Sequence, residues 1–331
     1  MTNELNPLQR QLVNRYQGGF PLLARPFALM ARTLKCSERD IIQNIDSLLQ
    51  QGILSRFGPL YDAVQMGGAL TLAALSVPES QYEQVTQQVN SLSQVAHNYR
   101  RDHSLNMWFV LATETEVELE SAILQIEEMS GLQVYNFPKQ SEFFIGLWLE
   151  LTPQCGVNTI TPPTVHKPLV DAYCVDAMDR QIILHSQAGL ALVADPWQPI
   201  CEAVGCSEDE LLERLQRLLD CGVIRRIGLV PNHYRLGLKA NGMTVWDVND
   251  EQAELLGQHI GQLDFVSHCY LRPRHLPEWR YNLFAMVHGH DRVEVLDKTR
   301  IIKGILGDAC VADNVLFSSA ILKKTGLRFA A

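Results

Sequence analysis

The chain has 331 residues, 47% hydrophobic and 20% charged, an ordinary globular composition with length for two to four domains. Its formal net charge of −9 excludes bulk nucleic acid as the main partner, because neutralising phosphate takes clustered Lys and Arg. The first residues lack the basic and apolar regions of a signal peptide, no apolar run reaches the roughly 18 residues of a membrane span, and none of the eight cysteines forms a CxxC pair, so the chain reads as cytoplasmic, with reduced thiols, no membrane partner and no metal site.

Residues 7–16 carry Leu8, Leu12 and Val13 on one helical face. A second helix is predicted from Pro26, which suits a first turn, to Leu34. Ser37 reads as an N-cap with Asp40 three residues on, before a stripe of Ile41, Ile42, Ile45, Leu48 and Leu49 that stops at Gly52. Residues 53–62 complete a winged helix-turn-helix. Then come a strand at 68–77, a Gln-rich helix at 79–93, strands at 95–103 and 106–113, a helix at 115–129, and strands near 132–137 and 141–150. That is the βαββαβ order of a ferredoxin-like domain.

The second half repeats the first. Leu8-Gln9-Arg10-Gln11 aligns with Met178-Asp179-Arg180-Gln181, Cys36-Ser37-Glu38 with Cys206-Ser207-Glu208, and Gly52 to Gly58 with Gly222 to Gly228. Strand 240–248, helix 250–261, strands 264–272 and 281–288, helix 290–303 and strands near 308–322 follow. The fold class is therefore α+β, in two tandem repeats of winged helix plus ferredoxin-like domain. The predicted boundaries are 1–62 and 63–151, a proline-marked linker at 152–169 (Pro153, Pro162, Pro163, Pro168), then 170–232 and 233–331. The two sheets are expected to be related by a pseudo-twofold, and a homodimer is a further possibility for the whole chain.

One stretch stands out in both halves. On a strand, residues two apart share a face, so His97, Tyr99 and Arg101 project together while Asn98 and Arg100 point the other way. His268, Tyr270 and Arg272 repeat that spacing, and Asn282 and Phe284 repeat Asn106 and Trp108 after a longer intervening segment at 273–281. A lone strand histidine is usually structural, but two copies at matched positions point to a functional site. His288 and His290 either line that site or end their strand; His103 and His275 read as rim residues, and His166, His185, His233 and His259 as ordinary ones.

The element order in both halves resembles the Lrp/AsnC family. More narrowly, His97-Asn98-Tyr99-Arg100-Arg101-Asp102-His103 with Asn106-Met107-Trp108-Phe109, and Ser267-His268-Cys269-Tyr270 with Tyr281-Asn282-Leu283-Phe284, resemble the siroheme decarboxylases, as two subunits fused in one chain. The resemblance implies removal of carbon dioxide from two acetate side chains of siroheme, on the way to heme d1 or to heme. Siroheme would be the substrate, carrying its own iron, with no further cofactor because the macrocycle can delocalise the carbanion. Its carboxylates call for arginine forks, for which Arg100, Arg101, Arg272 and Arg274 are candidates. Tyr99, Tyr270 and Trp108 are candidate pocket residues, and His97 and His268 candidate proton donors.

The competing readings are a DNA-binding regulator and a heme-binding sensor without turnover. A recognition helix needs a basic face. Residues 37–50 set Arg39 against Glu38, Asp40 and Asp46, and residues 207–220 are more acidic still, so no DNA binding is expected.

Overall fold

The structure, a computed structural model, describes residues 5–153, 156–161 and 175–324. The first winged helix comprises α1 (Pro7–Tyr16), α2 (Pro26–Leu34), α3 (Glu38–Gln50) and a single wing strand, β1 (Leu54–Tyr61). The predicted cap is present: Ser37 accepts from the Asp40 amide, and Asp40 accepts from the Ser37 amide at 2.9 Å. The first sheet domain comprises β2 (Ala69–Leu75), α4 (Tyr82–Ser91), β3 (Val95–Arg101), β4 (Met107–Thr113), α5 (Glu116–Ser130), β5 (Tyr135–Pro138) and β6 (Ser141–Ile145). A hairpin follows, β7 (Trp148–Leu151) with β8 (Val157–Ile160). The second winged helix has α6 (Ala177–Ser186), α7 (Gln198–Val204), α8 (Glu208–Asp220) and β9 (Ile224–Pro231). The second sheet domain has α9 (His233–Leu236), β10 (Ala240–Val248), α10 (Asp250–Gly261), β11 (Val266–Leu271), β12 (Leu283–Gly289), α11 (Arg292–Leu306) and β13 (Cys310–Lys324).

The two wings pair with each other, β1 antiparallel to β9, with Gly58 opposite Gly228. Gly228 is required there because a Cβ would run into the carbonyl of Tyr16 at the end of α1. The two winged helices share one apolar core, in which Phe20 meets Phe27, Phe57 and Trp197 edge-on or nearly so, with centroids 5.0 to 5.9 Å apart.

The strands of both sheet domains form one nine-strand order, β5-β2-β4-β3-β13-β10-β12-β11-β6. Each half keeps the ferredoxin-like arrangement, but its last strand does not stay at home. β13 pairs with β10 through Phe317 and then crosses to β3, where Ser318 faces Arg101 and Lys324 faces His97. In the first half β5 pairs with β2, and β6 crosses to β11, where Ile145 faces His268. Because β5 runs almost directly into β6, the two ends of the strand order are joined by the chain, and the sheet closes on itself. Helices cover the outside. Inside, Ala74, Trp108, Phe137, Met243, Val245, Trp279, Phe284 and Leu316 form a core shared by both halves. Burying two apolar sheet faces against each other supplies the main stabilisation of this pairing.

Three local expectations change. The strand expected at 141–150 is two: β6 joins the large sheet beside β11, while β7 leaves it to pair with β8. The linker is not featureless: residues 157–160 pair with β7, while Pro162, Pro163 and Pro168 lie outside the described residues. And α9, a single turn carrying His233 and Tyr234, was too short for any periodic signal. The repeated asparagines turn out to be clasps. Asn106 accepts from the Val77 amide and donates to its carbonyl, at 2.9 and 2.8 Å, and Asn282 does the same with Val248, at 2.9 and 2.9 Å.

Candidate active site between the two sheets

Val95, Met107, Phe109 and Leu111 pack on the helix side; a register shift between Val95 and His97 interrupts the alternation, and beyond it His97, Tyr99 and Arg101 share the inward face. The same register shift recurs between Val266 and His268, so that Val266 and Cys269 pack on the helix side while His268, Tyr270 and Arg272 turn inward. The two triads have the same layout. Histidine and tyrosine centroids lie 6.2 Å apart in one and 6.1 Å in the other. Each guanidinium sits by its own tyrosine ring, Arg101 at 5.7 Å and Arg272 at 4.9 Å. Each also donates to a carbonyl of the other half: Arg101 to Leu316 at 2.6 Å, Arg272 to Phe137. Both arginines are only 5% exposed, and each has an Nε without a partner among the described residues. A buried cation with spare donors is costly until an anion completes its shell. Burial lowers both guanidinium pKa values to about 10, which leaves them charged at neutral pH.

The histidines are held neutral. Burial, helped by the charge of Lys324, lowers His97 to about 4. Burial, with Arg225, Arg272, His233 and Lys139 nearby, lowers His268 to about 3. Arg225 comes from the second wing and is ion-paired with Asp62 at 2.6 Å. The Nδ1 of His97 is buried with no partner among the described residues, whereas Nδ1 of His268 lies 2.8 Å from the Ser267 hydroxyl. Beside the first site, Tyr234 stands under the Lys324 ammonium at 5.2 Å, and a cleft of about 430 Å³ runs between Tyr234 and Asn241 and residues 318–321 of β13.

Several sequence-predicted residues fall elsewhere. Arg100 is on the opposite face, as its place in the alternation requires; it pairs with Glu79 at 2.7 Å and lies over the Tyr82 ring. Arg274 is bound by Asp247 at 3.0 Å and by Asp250, carboxylates brought in by the end of β10 and the start of α10. Neither is free to bind a substrate carboxylate here. Trp108 does face inward but is fully buried, its indole N–H donating to Leu105 at 2.7 Å, so it is part of the shared core. The longer segment at 273–281 explains itself through Trp279, which is fully buried with centroid distances of 4.9 Å to Trp108, 5.5 Å to Phe137 and 5.7 Å to Phe284. His275 hydrogen-bonds the Asn136 carbonyl at 2.7 Å, and His103 closes a local turn.

Sequence reasoning missed Lys139, Arg225, His233, Tyr234, Asn241 and Lys324, and left His288 undecided. His288 is 5% exposed and joined to Ser267 at 2.6 Å. A signal was present for two of these. At inward strand positions the first copy has Leu70 and Ala112 where the second has Asn241 and His288, and each pair is in register across its own ladder.

Fold and site together define a tandem winged-helix protein with AsnC-like ligand-binding domains. The AsnC-like ligand binding domain matches residues 65–143 and 235–323, and the siroheme decarboxylase NirDL-like HTH domain matches 9–54 and 179–225. A siroheme decarboxylase of Hydrogenobacter thermophilus is 33% identical over 282 residues, covering 84% of this chain and 82% of that protein. A crystal structure of the siroheme decarboxylase NirDL superposes with a TM-score of 0.75 at 28% identity, covering 98% of this chain and 95% of that one. A second NirDL structure, in co-complex with an iron-uroporphyrin III analogue, superposes with a TM-score of 0.72 at 27% identity, covering 97% and 93%. The chain belongs to the siroheme decarboxylase family.

Proposed function

We propose that this chain removes carbon dioxide from two acetate side chains of siroheme, bound between its two sheets, and that His97 and His268 supply the protons. Family membership carries the activity. The assignment of the residues rests on one observation: two matched His-Tyr-Arg faces lie on the inward side of their sheets, and in each the buried arginine has an Nε without a partner among the described residues. A flat macrocycle bearing several carboxylates would complete the shells of Arg101 and Arg272, with Tyr99 and Tyr270 beside them.

In each decarboxylation the bond between methylene and carboxylate breaks, carbon dioxide leaves, and the electron pair remains on the methylene carbon, where the conjugated ring can delocalise it. No other cofactor is needed for that step. The carbon then takes a proton, and histidine is the natural donor. In the free protein both histidines are neutral, so the donor has to be made by the substrate. Its carboxylates bring negative charge into a buried space, which favours the imidazolium. The DNA-binding reading has little support, since the wings pair with each other and the first turns of α3 and α8 are acidic. No helix among the described residues is long and apolar enough to cross a membrane.

Anaerobic incubation of the purified protein with siroheme, followed by mass analysis, tests the proposal. Loss of two molecules of carbon dioxide per siroheme is expected. A protein that binds siroheme and releases it unchanged would be a sensor.

A further inference from the structure

The second copy of the site carries a hydrogen-bonded brace that the first copy lacks. Nδ1 of His268 lies 2.8 Å from the Ser267 hydroxyl, and that hydroxyl lies 2.6 Å from Nε2 of His288. Nδ1 of His288 is hydrogen-bonded to Oδ1 of Asn241, whose amide nitrogen lies 3.2 Å from Nε2 of His233. Ser267, Asn241 and His288 come from three adjacent strands, β11, β10 and β12. Ser267 and His288 are 2% and 5% exposed, so water does not compete for these bonds.

With Oδ1 of Asn241 facing His288, the donors and acceptors follow one ordering. Oδ1 of Asn241 can only accept, so His288 carries its proton on Nδ1. Neutral His288 then accepts at Nε2, and the Ser267 hydroxyl donates to it. The serine oxygen is left to accept from Nδ1–H of His268. The proton that His268 gains on becoming charged therefore goes to Nε2, the nitrogen outside the brace. In the first copy the aligned positions are Ala96, Ala112 and Leu70, none of which has a side-chain donor or acceptor, and Nδ1 of His97 has no partner among the described residues.

We infer that Ser267, His288 and Asn241 are positioning residues that fix the nitrogen from which His268 delivers its proton, so that the second site is set before siroheme arrives and the first is set by siroheme itself. This rests on the reading of His268 as a proton donor. In the step it serves, the carbon–carbon bond to the carboxylate breaks, carbon dioxide departs, the methylene carbon takes the proton from Nε2, and the imidazolium returns to neutral imidazole.

The test is single-turnover and steady-state decarboxylation of siroheme by the full chain, anaerobic and resolved by mass. Ser267→Ala is expected to lower kcat for one of the two decarboxylations by about 10- to 100-fold, the usual effect of a misplaced reacting group, with KM little changed. Ser267→Thr, which keeps the hydroxyl, should recover most of that loss, and His288→Gln, which keeps an acceptor, should be milder than His288→Ala. Equal losses in Ser267→Ala and Ser267→Thr would overturn the brace, as would wild-type kcat in both Ser267→Ala and His288→Ala. His268→Ala, run alongside, separates the two readings: if it is inactive while the brace variants are not, the donor stands and the brace falls; if it is fully active, the donor itself is wrong.

Discussion

Arg101 and Arg272 do the same thing in the two halves: each crosses to a carbonyl of the other half, sits by the tyrosine two residues before it, and keeps one buried nitrogen without a partner among the described residues. His97 and His268 do not. The first is flanked by Lys324 and by apolar strand positions, the second by a serine, a histidine and several cations. The arginine part of the duplicated site has stayed alike, while the surroundings of the histidine have diverged. A substrate that loses two similar acetates in turn is consistent with both facts. It needs like charges to hold it, but after the first step the second site meets a different molecule, one carboxylate poorer.

The largest effect that would break this comparison is expected from His97→Ala combined with His268→Ala. Loss of a general acid typically lowers a rate by about 10² to 10⁴-fold, so the double variant should yield no doubly decarboxylated product on the wild-type timescale while still binding siroheme, as an absorbance titration would show. Next come the arginines. Arg101→Ala and Arg272→Ala should each weaken siroheme binding by about 2 kcal/mol or more, roughly 30-fold, because each removes a buried charge from its anion. Lysine should not restore it, since it lacks the planar fork. Unequal losses at the two positions, read by the same titration, would sharpen the comparison by showing which site grips harder.

The alternation of residues along β3 already separated Arg101 from Arg100, and the structure keeps that separation. Grouping Arg100 with the pocket followed its charge and ignored its face. The tandem repeat and the triads were legible because period-two spacing and sequence identity are local. Sheet closure was not, because it depends on where β13 and β6 find partners in the other half, and strand pairing at long range leaves no local mark. Arg274 was misread for the same reason: Asp247 and Asp250 reach it only through the fold.

A smaller effect is expected with pH. His97 and His233 titrate near 4 and His268 near 3 in the free protein, against about 6.5 in the unfolded chain. Between about pH 6.5 and 4 the unfolded chain therefore binds protons that the folded chain refuses, so stability should fall as pH falls through that window. Siroheme should reverse the sign at its two donors by raising their pKa values, so that binding takes up protons. Denaturant melts at pH 7 and 5, and calorimetric titrations in buffers of different ionisation enthalpy, would check both. A flat stability profile with no proton uptake would count against buried neutral histidines. The smallest effect belongs to Arg100→Ala. Its exposed pair with Glu79 is screened by water, so stability should barely change and turnover should stay at the wild-type rate.

The comparison of the two histidines is tested most directly by mass-resolved, anaerobic time courses of His97→Ala and His268→Ala taken separately. If each site serves one acetate, each single variant should accumulate a species that has lost one carbon dioxide, and the two should stall on different acetates. Full double decarboxylation at the wild-type rate by either variant, or loss of both steps in each, would contradict the account.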